Sequence, residues 1–376
     1  MKLQPPWIAI LLVTFLSACP RGLGTQRPPD VEVLSPKWSQ ARSKYLRSGP
    51  VPRGELAWKR PCKGPITTSA AVSDGVVYFA ASVSGQEEKG YLYALDQVTG
   101  EPRWETLLSG WSRSAPDVAS RRLYLGSRSG MVHCVKTISG EEVWSFKAGT
   151  RVSSSGKIWE DLFVIGTSEG KIYGLEAATG KPRWEYATGK LVDSTPVVHQ
   201  GILYMGSHDN QLHALNPVSG KRLWTFETRG DIVAMPVLDA NRIYVASFDG
   251  NVYVLNSATG KHLWTYRVGS PIFGLAAYKS IIYAVSATTG IHAFEAQSGK
   301  PVWTASLGKE SGRGAPAVVD DVLYTTTHEG TILALDAKTG KERWRYKTGG
   351  RIIASPVVNR GLVLVGSLDG NFYALK

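Results

Sequence analysis

Cysteine is scarce: the 376-residue chain has three, at positions 19, 62 and 134, and no two are adjacent. A framework of several disulfides is therefore excluded, and one intrachain bond is the most the sequence allows. The 7 histidines show no ligand spacing, so no metal is expected. No phosphate-cradling glycine loop and no Ser/His/Asp arrangement stands out, which leaves catalysis without obvious groups. Long apolar runs are missing except for Trp7 to Leu16, which is too short to cross a membrane. Acid is in deficit, with Asp+Glu 31 against Lys+Arg 43 and a net charge of +12. Such a surplus would suit nucleic acid, but the cations are spread over repeated turns rather than gathered in a patch, so no nucleic-acid partner is expected.

What is present begins with a leader. Residues 1–19 combine Lys2, the apolar run and "LSAC" ending at Cys19, the pattern of a cleaved export signal. Its end resembles a bacterial lipobox, which implies a diacylated Cys19 at the start of the mature protein and a membrane anchor of more than one acyl chain. Pro20, where an inner-membrane address would have Asp, resembles an outer-membrane address facing the periplasm. Residues 20–54 hold six prolines among many Ser, Arg and Gly, a composition that buries no core and reads as a flexible tether. Within it "KWSQARSKYLR" (37–47) reads as a short helix.

From Trp58 the chain is periodic. Units such as "TGKPRW" and "SGKRLW" end in Trp104, Trp144, Trp184, Trp224, Trp264, Trp303 and Trp344, spaced by 39 to 41 residues, and a fixed period of this size marks a solenoid or propeller. Inside each unit the period is two, as strands require. Over 191–227, "VDSTPVV" reads as strand A, "ILYMGS" as B, "LHALN" as C and "RLWTFE" as D, with glycine-bearing turns between B and C. Trp58 makes the eighth tryptophan. The first D strand has no blade before it and the last blade has no D strand after it, so strand 55–61 is predicted to pair with 371–375 and close the ring, removing both free edges. The fold expected is all-β: an eight-bladed propeller of four-stranded antiparallel blades over 55–376. All eight tryptophans are read as structural, each packing on the next blade with its N–H on a neighbouring acceptor. His133, His213 and His292 share a column with tyrosines and are read as packing residues. Cys62 and Cys134 fall on non-adjacent blades and are expected to be free.

Loops entering strand A and the B–C turns share one rim, where binding is expected. Proline recurs in strand A at 116, 196, 236, 316 and 356, with Ala71, Gly156 and Ala276 as equivalents. Five residues before these stand Ile66, Trp111, Arg151, Leu191, Asp231, Pro271, Ser311 and Arg351; three before them, blades 2 to 5 carry Arg113, Ser153, Asp193 and Val233. Variation in an otherwise regular repeat means that packing does not dictate these positions, and Trp and Arg dominate interface energy. Trp111, Arg113, Arg151, Leu191, Asp193, Asp231 and Arg351 are therefore the candidate partner-binding residues. The insertion "SGQEEKG" (84–90) is read as an enlarged loop on the same rim. Lys181, Lys221, Lys261, Lys300 and Lys341 decorate the opposite rim.

The Ala-Leu-Asp, Thr-Gly-Lys and Trp units over about 55–376 resemble the quinoprotein-type, PQQ-like propeller repeat. A lipoprotein consisting of a tether and eight such blades resembles the outer-membrane protein assembly factor family BamB. That resemblance implies a non-catalytic scaffold, a monomer within a complex, that binds a POTRA domain of BamA. It implies an Arg at the five-back position and an Asp three-back on the next blade, matched by Arg151 and Asp193; the leucines that flank the family's Arg are not reproduced at Gly149 and Thr150. Quinone-dependent dehydrogenases share the repeat but need an acidic base, a calcium site and often an adjacent cysteine pair. Asp117 and Asp193 are isolated carboxylates and no Cys-Cys occurs, so neither a cofactor nor catalysis is expected. A carbohydrate- or cell-wall-binding propeller is a further alternative.

Overall fold

Alternation of apolar residues along short strands, broken by glycine turns, produces eight separate four-stranded antiparallel sheets among the described residues. The structure is a computed structural model that describes residues 49–83 and 86–376. Cys19, the export signal and most of the tether, with the helix expected at 37–47, lie outside the described residues. Blade 4 is typical: A is Val197–His199, B Ile202–Gly206, C Gln211–Leu215 and D Arg222–Glu227.

The ring closes as predicted. Leu56–Pro61 pairs antiparallel with Asn371–Leu375, placing Lys59 opposite Tyr373 and Arg60 opposite Phe372. The ring of Trp58 lies 6.0 Å from that of Phe372. Each repeat tryptophan sits at a bulge: Trp104 opposite Ala94, Trp144 opposite Cys134, Trp184 opposite Gly174, Trp224 opposite Ala214 and Trp303 opposite Ala293. The N-terminal strand reproduces this bulge between Leu56 and Trp58, so it is a D strand in detail as well as in position.

Hydrophobic burial is organised between blades. Apolar clusters draw on neighbouring blades: blades 5 and 6 share Tyr244, Val254, Ile282 and Phe294, and the last and first share Phe372, Ile66 and Phe79. The ring is thus held by a circle of interfaces, and breaking one exposes two faces.

The tryptophan column locks these interfaces. Seven indoles donate to a backbone carbonyl across a blade boundary. Trp104 bonds Thr137 at 2.8 Å, Trp144 bonds Ala177 at 3.0 Å, Trp184 bonds Pro217 at 2.9 Å and Trp303 bonds Ala337 at 3.0 Å. Trp58, Trp224 and Trp344 do the same to Gln97, Ala258 and Pro52. Beneath each ring lies a turn glycine whose positive φ few other residues tolerate; Gly220, at φ +69°, would bring an added Cβ within 2.7 Å of the Trp184 ring. Among the described residues Trp264 is the exception, its N–H having no partner. Residues 49–54, the end of the segment read as tether, lie against blades 7 and 8: Pro52 is buried, Gly54 sits under Trp344, and Gly49 packs on Gly361.

Strand A is shorter than expected. The segment read as "VDSTPVV" pairs only from Val197, and in blade 3 strand A is Lys157–Trp159. Proline offers no N–H to a ladder, and in blade 3, where Gly156 takes its place, the Ser154 hydroxyl satisfies the backbone instead, donating to the Gly166 carbonyl at 3.0 Å and accepting its N–H at 2.8 Å. Blade 6, with Ala276 for proline and Gly274 in the serine column, keeps one strand from Ile272 to Tyr278. Blade 1 corrects the repeat alignment by one residue. The Ser82 N–H bonds Pro65, as Arg128 bonds Trp111, so Pro65 and Ala70 are the true equivalents, and Ile66 is fully buried. The expected enlarged loop is instead a longer hairpin, with Val76–Val83 paired to Gln86–Asp96.

Candidate functional site

One backbone hydrogen bond, repeated around the ring, builds the rim. The N–H that opens a B–C turn donates to the carbonyl five residues before the strand-A proline position: Arg128 to Trp111, Ser168 to Arg151, His208 to Leu191, Phe248 to Asp231 and Leu368 to Arg351, at 2.8–2.9 Å. Each of these blades therefore presents a strand-A loop residue beside a turn residue, and both types vary.

On blade 2 the guanidinium of Arg128 stacks over half-buried Trp111 at 4.4 Å, while Arg113 is exposed. On blade 3 Arg151 is exposed, its carbonyl also accepting the Ser168 hydroxyl at 2.8 Å. Leu191, Asp193 and Asp231 are half-buried on blades 4 and 5. Between the two carboxylates stands His208, its Nδ1 2.7 Å from that of Asp231 and its Nε2 3.5 Å from that of Asp193. Interaction with Asp193, against the opposing effect of burial, raises the His208 pKa, and Asp231 adds to it. Asp193 is therefore not an isolated carboxylate: it faces a histidine that also reaches the next blade, and its Oδ1 is buried without a hydrogen-bond partner among the described residues. Among the described ion pairs Asp193 meets His208, and none joins it to Arg151. Arg351 is exposed on blade 8, away from the blade 4–5 cluster.

Asp117 also differs from the expectation of isolation. It is buried, accepts from the Lys157 ammonium at 2.6 Å and from the Ile158 N–H at 2.8 Å, and so ties blade 2 to blade 3. The column histidines are buried in packing: His213 bridges the Tyr186 hydroxyl and Asp209, and burial lowers the pKa of His292. Cys62 and Cys134 are free, burial pushing their thiols up to about 12 and about 11. Both are therefore poor nucleophiles at neutral pH.

His208, Phe248, Phe273, Arg313 and His328 escaped the sequence reading. Phe248 and Phe273 meet edge-to-face at 5.1 Å, and Arg313 lies over Phe273 at 4.3 Å. The signal that could have found His208, Phe248 and His328 is the first residue of each B–C turn, which varies as freely as the strand-A loops.

Eight blades, inter-blade tryptophan docking and a variable rim define a propeller of quinoprotein-type repeats. A family model described as the beta-propeller of the beta-alanine-activating enzyme matches residues 112–310, and one described as outer membrane protein assembly factor BamB matches 287–376. Outer membrane protein assembly factor BamB of Burkholderia pseudomallei is 40% identical over 76 residues, 20% of each chain. The 1-butanol dehydrogenase (cytochrome c) of Thauera butanivorans is 40% identical over 88 residues, 20% of this chain and 12% of the relative. The matched part thus spans about a fifth or less of the length of these relatives. The crystal structure of BamB from Moraxella catarrhalis superposes with a TM-score of 0.71 at 20% identity, covering 85% of this chain and 97% of that one. The chain belongs to the β-propeller family whose model is described as that of the beta-alanine-activating enzyme, and over residues 287–376 it is similar to the BamB assembly factors.

Proposed function

We propose that the protein is a non-catalytic scaffold lipoprotein of the outer-membrane β-barrel assembly machinery. In this reading Cys19 carries the acyl anchor and the ring stands on the periplasmic side. The strand-A rim of blades 2 to 5 then binds a POTRA domain of BamA. The observation that carries the reading is the run of residues along four consecutive blades of the variable rim: Trp111 and Arg113 on blade 2 and Arg151 on blade 3, followed by Asp193 on blade 4 and Asp231 on blade 5. Such a sector offers an aromatic anchor and charges of both signs to a partner.

The test is capture of purified POTRA domains by the ring. Arg151→Glu acts on an exposed side chain and is expected to abolish capture, and Asp193→Arg to weaken it while also unseating His208. Undiminished capture by both variants would sink the surface.

A second reading is favoured by the similarity to 1-butanol dehydrogenase: a quinone-dependent oxidoreductase. Against it, the buried strand-A carboxylate Asp117 is already engaged by Lys157 and the Ile158 N–H, which leaves it poorly placed to act as a base. Dye reduction by the protein reconstituted with quinone and calcium would establish this alternative.

A further inference from the structure

The C–D turns stand on the rim opposite the candidate partner site, each held to the A–B turn of its own blade: the Gln97 N–H donates to the Gly75 carbonyl, Thr137 to Arg121, Ala177 to Asp161 and Ser257 to Asn241, at 2.8–3.0 Å. The residue before each Thr-Gly or Ser-Gly lies at the tip of its turn. That position holds Val98, Ile138, Ala178, Val218 and Ala258 on blades 1 to 5, then Gln297 and Lys338 on blades 6 and 7. The turn itself needs no apolar side chain there, since the Val98 and Val218 N–H groups are satisfied by the side chains of Asp96 and Asn216 at 3.0 Å. Yet Ile138 is 86% exposed, Val98 67% and Val218 56%. Single exposed aliphatics are ordinary, whereas a run of them at one turn position over consecutive blades marks a contact face.

Blades 4 and 5 also lose the ion pair that guards this edge elsewhere. Blades 1 and 7 open the C–D turn with Asp96 and Asp336, which hold Arg103 at 2.9 Å and Arg343 at 2.6 Å. Blades 4 and 5 have Asn216 and Asn256 in the place of the acids and exposed Leu223 and Leu263 in the place of the arginines. Beside them Lys181, Lys221, Arg222 and Lys261 are exposed and enter no ion pair among the described residues. Against these cations the A–B turns of the same blades set Glu160 and Asp239, the latter opposite Arg242 in its strand pair, so the sector is positive. The chain joins the ring on this rim as well, Gly49 packing on Gly361 in the A–B turn of blade 8.

We propose that the C–D rim of blades 1 to 5 docks on an anionic phospholipid surface, with the turn-tip aliphatics entering the acyl boundary and the lysines of blades 3 to 5 meeting the headgroups. A bilayer fits this face better than a folded partner does: the tips stand on separate turns of one rim, where a plane admits each side chain singly, and the sector beside them is cationic. The face lies opposite the rim assigned to the protein partner, so the proposal does not rest on that assignment.

Co-sedimentation with vesicles tests the face, using the chain from residue 19 onward with Cys19→Ser so that no acyl group contributes. At low salt the chain is expected to bind vesicles of phosphatidylcholine with about one third phosphatidylglycerol more tightly than phosphatidylcholine alone, and added salt is expected to narrow the difference. Ile138→Ser combined with Val218→Ser should weaken binding to both by about tenfold. Lys221→Glu combined with Lys261→Glu should weaken binding about tenfold to the anionic vesicles alone. Gln297→Ser, at the same turn position on the polar side of the ring, should change neither. All five side chains are exposed, so the variants are expected to keep the melting temperature of the parent. Absence of binding to the anionic vesicles at low salt, or binding that neither pair of substitutions weakens, would overturn the proposal. So would a dimer in sedimentation equilibrium that Ile138→Ser dissolves, because a second copy would then be what covers the tips.

Discussion

The indole N–H of Trp344 donates to the carbonyl of Pro52 at 2.7 Å, across 292 residues of sequence. Gly54, at φ +86°, lies under the same ring, where an added Cβ would come within 2.7 Å of it. Blade 7 thus docks on the segment leading into the first strand just as other blades dock on a glycine of the C–D turn. The closing seam consists of that contact together with the pairing of Leu56–Pro61 and Asn371–Leu375.

A chain beginning at residue 49 is therefore expected to be more stable than one beginning at residue 55, by about 2 to 4 kcal/mol, the range for losing a buried aromatic contact and its hydrogen bond. Urea unfolding of the two truncations measures the difference. Equal midpoints would mean that residues 49–54 contribute nothing to the seam.

Two glycines with nearly the same backbone separate conformation from contact. Gly220 and Gly201 have φ of +69° and +74°, but an added Cβ meets the Trp184 ring at the first and nothing within 4 Å at the second. Gly201→Ala should cost about 1 kcal/mol for the left-handed backbone alone. Gly220→Ala should cost about 1 to 3 kcal/mol more, for displacing the indole. The comparison is read from paired denaturation curves.

Trp264 is the natural control for the other indoles. Its N–H is buried without an acceptor among the described residues, while the Ala296 carbonyl on the adjoining turn takes the Tyr244 hydroxyl. Trp264→Phe should consequently cost about 1 kcal/mol less than Trp224→Phe, which loses a 3.0 Å bond to Ala258. Equal losses in thermal unfolding would contradict the difference in pairing.

His208 links stability to pH. Asp193 and Asp231 raise its folded-state pKa above the ordinary value of 6.5. Stability from this contact is therefore fully present below the unfolded value and lost as pH rises through the raised folded value. His208→Asn should lose stability relative to the parent at about pH 5 to 6, by under about 1 kcal/mol for a partly exposed pair, and match it well above neutrality. A gap that widened with rising pH would reverse the assigned sign.

Much of the architecture was legible because it is local and repeated. Alternating apolar residues, a turn glycine and a tryptophan recur from blade to blade, and the unmatched ends at Trp58 and Leu375 pointed to one another. The carbonyls that receive Trp104, Trp144 and Trp303 lie 33 or 34 residues further on, nearly one repeat, so the period itself carried that contact. Strand A was overestimated because a period of two looks the same whether a backbone ladder or a serine hydroxyl satisfies the peptide groups, as Ser154 and Gly166 illustrate. At the candidate site, the variable residues Trp111, Arg151 and Asp193 could be selected from their column. The partner of Asp193 could not, because His208 lies on a separate turn and its bridge to Asp231 crosses between blades.

The amino-acid sequence by itself determined the blade, the number of blades and the identity of the closing strand, since each follows from short-range periodicity and the need to leave no sheet edge bare. Only the tertiary structure decided which variable residues meet. Asp193 and Asp231 stand on successive blades and meet through His208, which lies 3.5 Å from the first and 2.7 Å from the second. Charge interactions depend on distance through space, and the repeat encodes distance only along the chain.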